Sequence, residues 1–139
     1  MTQTEATQMP LSDTTVSDAT ASSATVIDGK AYSDRLVARV ADAARGLTDK
    51  IGRAPALAVV LVGDNPASAV YVRNKIERTT TAGMRSIERR LDATTSQDDL
   101  LAIIDQLNAD DGVDGILVQL PLPSQIDEAA VINAISPGK

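Results

Sequence analysis

The sequence lacks two residue types on which much enzyme chemistry depends, because its 139 residues include no histidine and no cysteine. Without cysteine the chain has no disulfide bond, no thiolate nucleophile and no cysteine ligand for a metal. Without histidine it also loses the commonest acid–base group near neutral pH and a usual zinc ligand. Since nothing in this composition points to an oxidising compartment, we expect a cytoplasmic protein without a bound metal.

Aromatic residues are also scarce. The sequence has no phenylalanine and no tryptophan, and its two tyrosines are Tyr32 and Tyr71. If an aromatic side chain stacks on a flat ligand, it must therefore be one of these two tyrosines.

The formal net charge of −6 argues against a nucleic-acid partner, because nucleic-acid binders usually carry a basic surface. We expect a small-molecule or protein partner, and neither nucleic acid nor membrane.

The first 25 residues differ in composition from the rest of the chain. They are mostly Ser, Thr, Ala and Asp, with no basic residue and few large apolar ones. Such a segment buries too little surface to offset the entropy of ordering it, so we predict a disordered tail over residues 1–25. The segment fits neither a secretory signal nor a mitochondrial presequence. Residues 26–139 then form one modest domain.

Apolar spacing and turn residues divide this domain into alternating helices and strands. Two predicted strands, 57–62 and 115–120, are apolar without alternation, as expected of strands covered on both faces. The pattern predicts a three-layer α/β/α domain with a mainly parallel sheet, whose pocket lies at the carboxyl ends of the strands. The predicted helices span residues 33–51, 66–82, 97–109 and 127–135, and the predicted strands 57–62, 85–91 and 115–120.

Three polar residues are candidates for the chemistry at that edge of the sheet. Lys75 follows Tyr71 by one helical turn, so an ammonium and a phenol can address the same bound molecule. Gln119 interrupts the last apolar strand, where an unsatisfied buried amide costs roughly 1–3 kcal/mol. A lysine head group nearby would be a natural partner, and Lys75 is therefore the leading catalytic candidate.

Each candidate also has an ordinary structural interpretation. Lys75 can be a solvated group on an amphipathic helix, Tyr71 an edge residue with its hydroxyl in water, and Gln119 a partner of a neighbouring loop. The turn at residues 63–66 lacks the glycine spacing of a phosphate-binding or dinucleotide-binding loop. Several carboxylates are typical of helix starts and turns rather than of a metal site. They are Asp98, Asp99, Asp110, Asp111 and Asp114.

Four separated segments together carry a family resemblance. They are Val-Ile-Asp-Gly-Lys at 26–30, the run 57–68, Tyr-Val-Arg-Asn-Lys at 71–75 and Gly-Ile-Leu-Val-Gln-Leu-Pro-Leu-Pro at 115–123. In this order they resemble the bifunctional methylenetetrahydrofolate dehydrogenase/methenyltetrahydrofolate cyclohydrolase family. The resemblance covers essentially all of residues 26–139 and implies the fold of an amino-acid-dehydrogenase-like N-terminal domain.

The resemblance implies both a reaction and a set of site residues. Enzymes of that family oxidise 5,10-methylenetetrahydrofolate with NADP, or NAD in some members, and hydrolyse the 5,10-methenyl product to 10-formyltetrahydrofolate at the same folate site. It implies that Lys75 is catalytic, that Tyr71 stacks on the folate and that Gln119 hydrogen-bonds the lysine. Val118 and Leu120 would form part of the folate wall.

The sequence departs from the family pattern in two respects. Many members have a second basic residue two positions after the catalytic lysine, where this chain has Glu77, although the next residue is Arg78. The family also continues beyond the point matching Lys139, into a folate-binding aspartate and an NADP-binding domain. We therefore expect the folate-binding half of a homodimeric bifunctional enzyme, without dehydrogenase activity by itself.

Two other functions remain open at this level. The chain can be a stand-alone folate-binding or interaction module without catalysis. It can also be half of some other two-domain α/β ligand-binding protein, in which Lys75 and Tyr71 are surface residues. Replacement of Lys75 by Met tests the second alternative, and the sequence that follows Lys139 in the encoding DNA tests the first.

Overall fold

A computed structural model describes residues 27–139, so the predicted tail and Val26 lie outside the described residues. Helices and strands alternate in the predicted order. The helices are α1 (Gly29–Ile51), α2 (Pro66–Thr81), α3 (Gln97–Ala109) and α4 (Glu128–Ala134), and the strands are β1 (Ala56–Val62), β2 (Arg85–Leu91) and β3 (Gly115–Val118).

The three strands form a parallel sheet in the order β2-β1-β3, which confirms the predicted fold class. Strand β1 is central and nearly all buried, and its successive side chains point to opposite faces. On one face Val59 and Leu61 pack with Val72 of α2. On the other face Val60 packs in a core that includes Leu100 of α3 and residues of α4.

Local capping explains where α2 and α3 begin. The Asn65 side chain accepts hydrogen bonds from the amides of Ala67 and Ser68, and Pro66 occupies the first helical position, where no amide hydrogen is needed. The Ser96 side chain accepts from the Asp99 amide at the start of α3. The cap on α2 determines where the helix that carries Lys75 starts.

Two boundaries differ from the sequence prediction by more than one residue. Helix α1 begins at Gly29 rather than Ser33, because the Asp28 side chain accepts from the Ala31 amide and caps the helix one turn earlier. Strand β3 ends at Val118 rather than Leu120. The Gln119 amide still donates to the Val60 carbonyl at 2.9 Å, but Pro121 has no amide hydrogen with which to continue the ladder.

Helix α1 buries less of its predicted apolar face than its spacing suggests. Ala44 is buried, whereas Leu36, Val40, Leu47 and Ile51 retain 39–45% of their accessible surface. The helix packs mainly against α2 and makes few contacts with the strands. None of the helices within residues 27–139, including this one, combines the length and apolar character that a membrane crossing requires.

An ion pair lies at the amino ends of β1 and β3, the end of the sheet opposite the predicted site. Arg53 donates to both carboxylate oxygens of Asp114, at 2.6 and 2.9 Å, and the Ala56 amide donates to Asp114 at 2.8 Å. The hydrogen bond from Arg53 is the main cause that holds the pKa of Asp114 below its ordinary value of 3.8. The pair thus joins the start of β1 to the start of β3.

Because of this ion pair, we expect the stability of the domain to depend on pH. A carboxylate whose pKa is lowered by folding stabilises the folded state above its unfolded pKa, and the contribution is lost as pH falls through the folded pKa. We expect the free energy of unfolding to drop as pH is lowered below about 4, and Asp114→Asn to make that drop shallower. Urea titrations across this pH range measure the free energy of unfolding. If it falls as steeply with decreasing pH in the variant as in the native chain, Asp114 is not a cause of the decrease.

Candidate active site

The predicted site residues sit on elements that meet at the carboxyl ends of the strands. Helix α2 starts three residues after β1 ends, and Gln119 directly follows β3. Because the strands are parallel, both segments lie at the same edge of the sheet. Lys75 Nζ donates a hydrogen bond of 2.7 Å to Gln119 Oε1, although the two residues are 44 positions apart in the chain.

Both the nitrogen and the oxygen of the Gln119 side-chain amide form hydrogen bonds. Its Nε2 atom donates to the Leu120 carbonyl at 2.6 Å, while its Oε1 atom accepts from Lys75. The nitrogen is thereby directed at a backbone acceptor and the oxygen at the ammonium. A lysine ammonium has three N–H donors, so two remain to contact a bound molecule.

Tyr71 completes the group from the preceding turn of α2. Lys75 Nζ lies 5.7 Å from the centroid of the Tyr71 ring, within the range of a cation–π contact. The tyrosine is 61% exposed, so most of its ring is open to a ligand. An aromatic face and an ammonium are thus presented side by side, an arrangement that suits a flat ligand with an atom that gains or loses a proton.

An open cavity of about 370 Å³ adjoins these residues. Apart from Tyr71 and Lys75, its lining comes from α2 and from the strands beneath it: Asn74, Arg78, Thr79, Leu57 and Leu117. A larger neighbouring cavity, about 430 Å³, is polar and contains none of the predicted catalytic residues. The smaller cavity is therefore the better candidate for binding a molecule that is largely aromatic and apolar.

The structure brings together some of the predicted residues and separates others. Lys75, Gln119 and Tyr71 form one group, and Leu120 lies beside it with 36% of its surface exposed. Val118 instead packs against the core on the α3 and α4 face. Its predicted place in the folate wall therefore finds no support in this geometry, because side chains alternate along β3 and Val118 points away from α2.

Leu117 lines the cavity and was missed from the sequence. It packs on the α2 face of the sheet together with Leu57, another residue that the sequence interpretation did not single out. Alternation along β3 could have identified Leu117, since it lies two residues before Gln119 and shares its face. Leu57 had no comparable signal, because β1 is apolar on both faces.

The acidic residues lie apart from the lysine cavity. Glu77 lines the larger polar cavity and not the one that contains Lys75. At the start of α3 the Asp99 carboxylate accepts a hydrogen bond from the Ser96 hydroxyl, and the Asp99 amide donates one to Ser96 Oγ. Asp110 accepts from the Gly112 amide in a turn. Within residues 27–139 there is no cluster of three acidic side chains that could hold a metal ion.

Comparison with known proteins places this site in a family. The family model described as "Tetrahydrofolate dehydrogenase/cyclohydrolase, catalytic domain" matches residues 27–139. Bifunctional protein FolD 1 of Roseobacter denitrificans is 57% identical over 117 residues, covering 84% of this chain and 39% of the relative. Bifunctional protein FolD 3 of Rhizorhabdus wittichii is 60% identical over 116 residues, covering 84% and 38%. The chain thus spans about two fifths of the length of these relatives.

Solved structures give the same result. The FolD methylenetetrahydrofolate dehydrogenase/cyclohydrolase of Campylobacter jejuni is 42% identical with a TM-score of 0.77, covering 81% of this chain and 39% of that one. The Trypanosoma brucei enzyme, complexed with NADP and an inhibitor, is 32% identical with a TM-score of 0.77, covering 82% and 39%. The fold is therefore shared over most of the described chain.

Proposed function

This chain belongs to the tetrahydrofolate dehydrogenase/cyclohydrolase family, and from that premise we propose that residues 26–139 are a folate-binding catalytic domain. The whole protein would oxidise 5,10-methylenetetrahydrofolate with NADP and hydrolyse 5,10-methenyltetrahydrofolate to 10-formyltetrahydrofolate. The observation that carries this proposal is the hydrogen bond from Lys75 to Gln119 beside the exposed ring of Tyr71. It supports assigning the proton transfers to Lys75.

In the hydrolytic step, a water oxygen attacks the methenyl carbon and releases a proton, which gives a carbinolamine. The carbinolamine hydroxyl then loses its proton to water and becomes the formyl carbonyl as the bond from that carbon to the ring nitrogen breaks, and the nitrogen takes up a proton. Lys75 in its neutral form can accept the first proton and return it to the leaving nitrogen. Gln119 would hold the lysine at the edge of the cavity, since its oxygen accepts one of the lysine N–H groups.

In this proposal the described residues do not bind the nicotinamide cofactor. NADP binding needs a glycine-rich turn between a strand and a helix, and the turn at residues 63–66 lacks that spacing. The described residues therefore do not fit the cofactor, and no step of hydride transfer is assigned to them. For the whole protein we propose a cytoplasmic location and a homodimer, on the basis of the family resemblance.

Folate binding by this chain is tested at Tyr71. Tyr71→Ala is expected to weaken binding of a 5,10-methenyltetrahydrofolate analogue by roughly 5- to 100-fold, by analogy with aromatic stacking on nucleic-acid bases. Tyr71→Phe is the matched control and keeps affinity within about twofold, because the ring remains. Isothermal titration calorimetry measures both. Equal affinities for the native chain and the alanine variant would contradict the stacking role.

A further inference from the structure

Arg78 lies on the same face of α2 as Tyr71 and Lys75. The three residues are spaced at i, i+4 and i+7, and all three line the 370 Å³ cavity. With a rise of 1.5 Å per residue, Arg78 is about 10 Å further along the helix axis than Tyr71. The cavity therefore has an aromatic ring and an ammonium towards one end and a guanidinium towards the other.

The Arg78 guanidinium forms an exposed ion pair with Asp34, without a direct hydrogen bond to it. Its Nη1 atom lies 3.6 Å from Asp34 Oδ1, which is beyond hydrogen-bonding distance. Asp34 instead accepts a hydrogen bond of 2.7 Å from Lys30. The arginine side chain is 56% exposed, and within residues 27–139 it donates no hydrogen bond. Its planar set of N–H donors is therefore available to an anion, while Lys30 can continue to neutralise Asp34.

The surface between the two ends of the cavity is mostly apolar. Leu57 and Leu117 form the wall on the sheet side, and Asn74 and Thr79 add two polar side chains from α2. Glu77 lines the adjacent polar cavity, which Asn74 and Arg78 also line, and it does not line the cavity that contains Lys75. A ligand matched to the cavity has a flat ring system, an apolar middle and a carboxylate at its far end.

We infer that Arg78 binds a carboxylate of the glutamate tail of the folate substrate. The inference rests on the proposed function, because it takes reduced folate as the ligand of the Tyr71 and Lys75 cavity. A guanidinium can form two parallel hydrogen bonds with a carboxylate, and such charge-assisted bonds are about twice as strong as neutral ones. Arg78 would then favour folates that carry glutamate over compounds that end at the benzoyl group.

The test compares two probes on two variants of the 139-residue chain. The probes are 5-formyltetrahydrofolate and the same compound with its glutamate replaced by a primary amide. Arg78→Gln is expected to weaken binding of the first probe by about 5- to 20-fold and to change binding of the second by less than about twofold. Calorimetry measures all affinities, and circular dichroism confirms that the variants fold.

Arg73→Gln is the matched control, since it removes the same charge from an exposed position on α2 that lines neither of the two cavities beside this helix. It should leave both affinities unchanged. An equal loss for both probes in Arg78→Gln, or the same loss in Arg73→Gln, would overturn the inference and leave the proposed function standing. If the native chain binds neither probe, the proposed function fails, and the inference fails with it.

Discussion

Replacement of Lys75 by methionine is expected to lower cyclohydrolase turnover by about 10²- to 10⁴-fold, the usual contribution of a positioned acid–base group. Methionine has a similar length and packs in the same space, but it can neither accept nor return a proton. The loss should appear in turnover more than in folate affinity, because Tyr71 and the apolar walls of the cavity are unchanged.

The measurement requires a protein in which both reactions can be followed. We suggest joining residues 1–139 to the remaining part of the Roseobacter denitrificans relative, which is 57% identical over the shared region. Hydrolysis of 5,10-methenyltetrahydrofolate is followed by the loss of its absorbance. Arg73→Met, on an exposed turn of the same helix, is the control for substitution as such.

The outcome distinguishes among the functions that the sequence leaves open. Normal turnover in Lys75→Met would show that the lysine is not the proton carrier and would favour another two-domain α/β protein. A joined protein that binds folate but does not turn it over, with Lys75 intact, would favour a non-catalytic binding module. Loss of turnover with folate affinity retained supports the enzyme.

Leu100→Ala is expected to reduce the free energy of unfolding by about 2–5 kcal/mol. Leu100 has no accessible surface and packs in the core formed by β1, α3 and α4. Shortening it removes buried apolar contacts and leaves a cavity that a close-packed core can only partly refill. For a domain whose total stability is about 5–15 kcal/mol, this is a large share.

Leu47→Ala is the matched control for that change. Leu47 is also a helical leucine, but it keeps 40% of its surface, so its truncation should cost less than about 1 kcal/mol. Urea unfolding followed by circular dichroism measures both variants. If both variants lose the same free energy of unfolding, α1 packs as closely as α3, which contradicts the partial exposure of Leu47. Folate affinity should be the same in both, because neither leucine lines the cavity beside Lys75.

Much of the fold could be predicted from the sequence because its determinants are local. The caps at Asn65 and Ser96 depend on side chains that bond amides two or three residues later. Strand β2 agrees with the prediction at both ends, since Gly83 precedes it and Asp92 follows it. The alternation of helices with apolar strands then restricts the topology to a parallel sheet.

The sequence was less informative where packing between distant segments decides the result. Val118 was predicted to face the folate, but the face that each side chain of β3 presents depends on how the strand pairs with β1. On α1, the apolar residues Leu36 and Val40 keep 45% and 39% of their accessible surface. Periodicity shows that a helix has an apolar face, but not how much of that face its neighbours cover.

The sequence by itself determined the order of the elements, the family and the candidacy of Lys75, Tyr71 and Gln119, because motifs and caps are short-range features. Only the tertiary structure decided that Lys75 and Gln119, 44 residues apart, lie within 2.7 Å of each other. It also placed Arg78 in the same cavity and turned Val118 away from it. Contacts between distant segments depend on strand pairing and helix packing, and no local pattern specifies them.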